Sequence, residues 1–184
     1  MKKIFVLFLL FICALMYTQT KFKSIEYINM TSFSITKNTE SKYSNFSKDS
    51  IKTFNGIAFD VNTIHGVKLF GFIAMSAGFS IDWNINKTFL STPVFADLRV
   101  FTSRKTENCL FFYLQTGRNV KFTENSNGNG TSSRLGVGII FDTVGEKSYY
   151  FDFFKKSKQI YLNNKADYGY YDINGYGISF GVIF

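Results

Sequence analysis

A chain of 184 residues with a formal charge of +8 and two cysteines has the length of one domain. Its lysines are scattered rather than gathered into a stripe, which excludes a nucleic-acid surface. With 19% aromatic residues, 14 glycines and one proline, the composition favours strands over long helices.

In chain order, Lys2 and Lys3 followed by the apolar run 4–16 read as a secretory signal, cleaved near Gln19 or Thr20. The run is too short to cross a bilayer as a helix. Ile12 stands before Cys13 where a lipoprotein signal needs a small residue, so no lipid anchor is expected. Residues 1–20 are thus a signal peptide and 21–184 the working domain. Losing Lys2 and Lys3 lowers the charge from +8 to +6. Cys109 is then the one remaining cysteine, which excludes an internal disulfide and a cysteine metal site.

Beyond the signal no segment keeps a helical period, and eight segments alternate with the period of a strand. The first, 22–35, sets Ile25, Tyr27, Phe33 and Ile35 on one face, weakened by Asn29 and Thr31. The polar run 36–54 reads as a long exposed loop. The second strand, 55–65, opposes Ile57, Phe59 and Val61 to Ala58, Asp60 and Asn62, and Gly66-Val67 is expected to turn the chain. The third, 70–83, opposes Ile73, Met75, Phe79, Ile81 and Trp83 to Phe72, Ala74, Gly78 and Asp82; Trp83 suits an interfacial aromatic girdle. After a loop at 84–92, Pro93 is expected as the first residue of the fourth strand. There Val94, Ala96, Leu98 and Val100 oppose Phe95, Asp97, Arg99 and Phe101.

A polar turn at 103–108 leads to the fifth strand, 109–119, with Phe111, Tyr113 and Gln115 on the less apolar face. The stretch 120–131 carries loop chemistry. The sixth strand, 132–144, opposes Leu135, Val137, Ile139 and Phe141 to Arg134, Gly136, Gly138 and Asp142. Gly145-Glu146 is a tight turn into the seventh, 147–158, whose Tyr150, Asp152, Phe154 and Lys156 share a face. The segment 159–173 reads as the last loop. Asn174-Gly175 is a hairpin signal; either it closes a hairpin, making 168–173 an extra strand segment, or, as preferred here, it tips a loop whose flanks extend the barrel. The eighth strand places Tyr176, Ile178, Phe180, Val182 and Phe184 on one face, against Gly177, Ser179 and Gly181.

Alternating apolar residues ending on Phe184 resemble the C-terminal signature strand of Gram-negative outer-membrane β-barrels. The resemblance implies recognition of that strand by the barrel-assembly machinery, with Tyr176, Ile178, Phe180, Val182 and Phe184 as the assembly signal. The seven connections alternate short and long as they do in small eight-stranded members of that class, with short periplasmic turns and longer outer loops. The fold expected is therefore a closed, antiparallel, up-and-down transmembrane β-barrel of about eight strands in the outer membrane, in contact with its lipid.

Charges cannot cheaply face hydrocarbon, so Asp60, Asp82, Asp97, Arg99, Arg134, Asp142 and Asp152, with Lys156, are expected to pair in the lumen. Phe72, Phe95, Phe101, Phe111, Tyr113, Tyr150 and Phe154 are expected to fill it, with Arg99 and Arg134 at the centre of the plug. His65 is the one histidine and has no partner for a triad or metal site, so neither catalysis nor a cofactor is expected. The function expected is non-enzymatic, with outer loops making surface contacts to an unidentified ligand and no nucleic-acid partner. The alternatives are a narrow channel or carrier for small solutes and, third, a lipid-active enzyme.

Overall fold

The computed structural model describes residues 25–45, 50–53, 55–85, 89–104, 108–120, 129–141, 147–164 and 167–184. They form β1 (Ile25–Asn45), β2 (Ser50–Lys52), β3 (Ile57–Leu69), β4 (Ile73–Asn84), β5 (Phe89–Phe101), β6 (Leu110–Val120), β7 (Gly130–Phe141), β8 (Ser148–Asn164) and β9 (Asp167–Ile183). From β3 to β9 each strand pairs antiparallel with the next, and β9 pairs back onto β1, which closes the sheet. β2 lies against β1 in the register that β3 follows, with Lys42 opposite Lys52 and Lys37 opposite Ile57. β2 and β3 therefore act as one interrupted strand, and the protein is an eight-stranded antiparallel up-and-down barrel.

Cross-strand partners followed round the wall from Lys37 run through Tyr176, Lys155, Leu135, Leu114, Leu98, Met75 and Val67. They return to β1 at Tyr27, ten residues from the start. A stagger of ten over eight strands, at ordinary strand spacings, tilts the strands by roughly 40° and gives a backbone radius of about 8 Å. Side chains alone fill so narrow a cylinder.

The distribution of polarity is inverted relative to a protein folded in water. Leu135 and Phe180 on the outer wall are 60% and 55% exposed, while Asp60 and Arg99 inside are 1% and 2% exposed. The apolar outer belt runs along β1 from Ile25 to Ile35. Ten residues at ~3.3 Å each, tilted by roughly 40°, rise about 25 Å, the height of the apolar band of a membrane barrel. A wall of this kind suits hydrocarbon, because closure satisfies every strand edge without water.

Aromatic residues and glycines interlock across the inner wall. Tyr113 lies opposite Gly136, Phe111 opposite Gly138, Phe154 opposite Gly177 and Tyr150 opposite Gly181. Each ring leans over its partner glycine; a methyl group added at Gly136 would stand 2.5 Å from the Tyr113 ring. This explains why one face of the late strands is rich in glycine, a residue that otherwise weakens a strand.

Several expectations change. The described residues of the run 36–54 are largely strand rather than loop: β1 continues to Asn45 and β2 pairs back on it, with polar residues on both faces of a sheet that has passed beyond the apolar belt. Gly66-Val67 lies inside β3, and the turn falls at Phe70-Gly71, where φ is 53° and 74° and the Phe72 N–H donates to the Leu69 carbonyl at 3.1 Å. Positive φ at both central positions is the hairpin geometry that matches strand twist. Phe72 thus sits in a turn, with the Arg104 guanidinium 5.0 Å from its ring, rather than deep in the lumen.

The loop expected at 84–92 is shorter, since β5 begins at Phe89. Pro93 therefore stands inside β5, where the ladder to β4 is interrupted between Phe79–Val94 and Asp82–Ser91, so its missing N–H costs no bond there. The segment 159–173 is mostly strand, with β8 running to Asn164 and β9 starting at Asp167. Asn174-Gly175 closes no hairpin and tips no loop. It is paired on both sides within β9, beside a bulge in β1 between Asn38 and Glu40. The Gly145-Glu146 turn lies outside the described residues.

Candidate functional site

Strand alternation brings the inward charges of β3, β4, β5, β7 and β8 into one connected column. At its centre, Arg134 on β7 donates from Nη1 to Asp60 Oδ1 at 3.3 Å and from Nη2 to Asp152 Oδ1 at 3.4 Å. It also donates to Ser34 Oγ at 3.1 Å and, through Nε, to the Tyr113 hydroxyl at 2.9 Å. The guanidinium lies 3.5 Å from the centre of the Phe154 ring. Tyr113 passes its own proton donor to Asp152 at 2.8 Å, and Ser179 of β9 donates to the other oxygen of Asp152.

On the β2 side of the column, Lys156 Nζ bridges Asp60 at 2.9 Å and Asp82 at 2.5 Å. Lys158 completes the set, paired with Asp82 and donating to Ser91 at 2.6 Å. On the opposite side, Arg99 Nε pairs with Asp97 at 2.9 Å, and Gln115 donates to the second oxygen of Asp97 at 2.9 Å. Arg99 is enclosed by the rings of Tyr113, Phe111 and Tyr150 at 4.5, 5.2 and 5.9 Å.

Among the described residues the column sets Asp60, Asp82, Asp97 and Asp152 against Arg99, Arg134, Lys156 and Lys158. Four charges of each sign balance. Ion pairs sealed from water hold only when they are matched and hydrogen-bonded in this way. Asp142 lies outside the described residues. Among the described residues the acids do not outnumber the bases as the two arginines alone suggest, because Lys156 and Lys158 make up the difference. Lys158 was missed as a lumen residue because 158 reads as the end of a strand; its even spacing from Asp152, Phe154 and Lys156 was the signal that could have found it. Lys68, also buried, is hidden from a sequence reading because Gly66-Val67 looks like a turn ahead of it.

Phe95, Phe101, Phe111, Tyr113, Tyr150 and Phe154 are all buried in the lumen. Two gaps among these side chains, one beside Asp82 and Lys158 and one beside Arg134 and Gln115, measure about 10 Å³ each. That is room for at most a single water. Tyr176, Ile178, Phe180 and Phe184 lie exposed on the outer wall with half-buried Val182, on the strand that closes the barrel. Phe180 and Tyr176 stack on Tyr149 and Phe153 of β8 at 5.8 and 6.1 Å.

His65 stands on the outer wall within β3, not at a turn, and its Nδ1 meets the Tyr27 hydroxyl at 2.6 Å. Cys109 is buried. Among the described residues no three His, Cys, Asp or Glu side chains gather as a metal site.

No protein-family model matches the chain, and no curated protein matches it. Among solved structures it is similar to a de novo designed transmembrane β-barrel, at 11% identity and a TM-score of 0.43, covering 90% of this chain and 98% of that one. It is also similar to Neisserial surface protein A, NspA, at 11% identity and a TM-score of 0.48, covering 85% of this chain and 98% of that one.

Proposed function

We propose that the protein is an integral outer-membrane barrel without enzymatic activity, exported by the signal in residues 1–20, and that it serves as a rigid mount for a surface-contact sheet. The observation that carries this reading is the unequal length of the strands. β1, β8 and β9 are 21, 17 and 17 residues long, whereas β6 and β7 are 11 and 12. The surplus lies on one side of the apolar belt, where β2, β1, β9 and β8 continue as a four-stranded sheet beyond Lys37.

That sheet carries tyrosines on both faces. Tyr43 and Tyr171 pair across β1 and β9 with ring centres 5.2 Å apart, and Tyr161 and Tyr170 pair across β8 and β9 at 6.1 Å. Tyrosine supplies rigid, amphipathic contact area at low entropic cost, which suits a recognition surface. In this reading the paired lumen charges hold the mount stiff, and Tyr176, Ile178, Phe180, Val182 and Phe184 present β9 to the assembly machinery.

Membrane fractionation with heat-modifiable gel mobility tests the architecture; a soluble chain with unchanged mobility would overturn it. Planar-bilayer recording tests the filled lumen. No stable conductance is expected, because gaps of about 10 Å³ pass no hydrated ion. Ion-selective steps would replace this reading with a channel.

A further inference from the structure

At the end of the barrel away from the tyrosine sheet, a cavity of about 160 Å³ opens at the rim between β1, β3 and the end of β9. It is far larger than the ~10–15 Å³ a single water needs. Lys68 and Glu26, directly opposite each other in the β1–β3 ladder, both line it. Lys68 is 3% exposed, yet among the described residues no acid lies within ion-pair reach of it. Its ammonium has one long bond, to the Arg104 carbonyl at 3.4 Å, and lies 4.6 Å from the centre of the Phe101 ring.

A buried ammonium with spare donors and no counter-ion among the described residues is costly unless something else supplies the charge. Every other buried cation in the described lumen is matched to an acid, so Lys68 is the exception. Among the described residues Glu26 across the cavity is also without an ion pair, so the cavity holds one separated charge of each sign. Its rim is built by Tyr27 and Phe184, both on the lipid-facing wall.

We propose that this cavity binds the headgroup of a zwitterionic phospholipid from the adjacent leaflet, with the phosphate on Lys68 and the lipid ammonium on Glu26. The proposal rests on the reading of the barrel as membrane-embedded. A lone anion would leave Glu26 uncompensated, and a lone cation would leave Lys68 so; a phosphoethanolamine group answers both. Tyr27 and Phe184 lie where the first carbons of the acyl chains would pass.

The test is calorimetric titration of the folded chain in octyl glucoside with dihexanoyl-phosphatidylethanolamine, dihexanoyl-phosphatidylglycerol, free phosphoethanolamine and inorganic phosphate. Dihexanoyl-phosphatidylethanolamine should bind best, Lys68→Met should weaken it at least tenfold, and Glu26→Gln should erase the preference over dihexanoyl-phosphatidylglycerol. Unchanged affinity in Lys68→Met overturns the site. Phosphoethanolamine or inorganic phosphate binding as tightly as the short-chain lipid overturns the lipid assignment. Should Lys68→Met fail to fold, amide shifts of the unaltered chain during the titration decide: they must concentrate at Glu26, Lys68 and Phe101, and shifts elsewhere or none overturn the proposal. A heat-modifiable, membrane-bound chain that binds no headgroup sinks this site alone, whereas a chain that fractionates as soluble removes the membrane reading as well.

Discussion

Arg134→Met removes the cation at the centre of the lumen while keeping most of the side-chain volume. The guanidinium holds Asp60 and Asp152 and donates to Ser34 and Tyr113. Deleting one partner of a buried ion pair costs roughly 3–5 kcal/mol. Here both acids keep a second partner, since Asp60 remains on Lys156 at 2.9 Å and Asp152 on Tyr113 at 2.8 Å. The loss should therefore fall near the lower end, about 3 kcal/mol. With a urea slope of about 1–3 kcal/mol/M, the unfolding midpoint drops by roughly 1–3 M. The assay is urea unfolding in detergent micelles, followed by loss of heat-modifiable mobility and by tyrosine fluorescence. Asp152→Asn placed on top of Arg134→Met should restore part of the loss, because it removes an acid the arginine left behind. A change under about 0.5 kcal/mol, or double-variant losses that simply add, would refute the coupled column.

Gly136→Val should destabilise the barrel by about 1–3 kcal/mol by driving into the Tyr113 ring, and Tyr113→Ala in the same chain should relieve part of that, as read by the same unfolding assay. Phe184→Ala should lower the amount inserted in the outer membrane while export continues, measured by fractionation; normal levels would remove the assembly role of the β9 face. A protease site introduced at Asn127 should be cut on intact cells and one at Gly145 protected, and the reverse pattern would invert the barrel in the membrane.

The strand faces were legible in the sequence wherever hydrocarbon met one side. Val94, Ala96, Leu98 and Val100 against Phe95, Asp97, Arg99 and Phe101 gave the correct facing because lipid demands apolar side chains and the lumen does not. That contrast fades at the membrane boundary. From Asn38 to Ser44 polar residues occupy both faces, and at 159–161 and 169–173 Ile160 and Ile173 turn inward, so the period-two signal disappears although the backbone ladder continues. Lys158 was hidden for the same reason, and Lys68 because Gly66 in a strand looks like a turn. The pairing of Arg134 with both Asp60 and Asp152 could not be read at all. It depends on which residues the stagger of ten brings to one height, and that stagger is a property of the closed barrel rather than of any one strand.

The seam between β1 and β9 has a consequence for how such a cylinder can be completed. Its inner side is lined by short side chains, with Ser32 opposite Gly181, Ser34 opposite Ser179 and Thr36 opposite Gly177. The bulky rings that cover it, Tyr150 and Phe154, belong to β8 and lean over glycines of β9, their immediate hairpin neighbour. They can therefore seat as soon as the last hairpin forms. When the two ends of the sheet finally meet, no large group has to be threaded past another within the lumen, and the bulky pairs of the joint, Phe33 with Phe180 and Ile35 with Ile178, close on the open outer side.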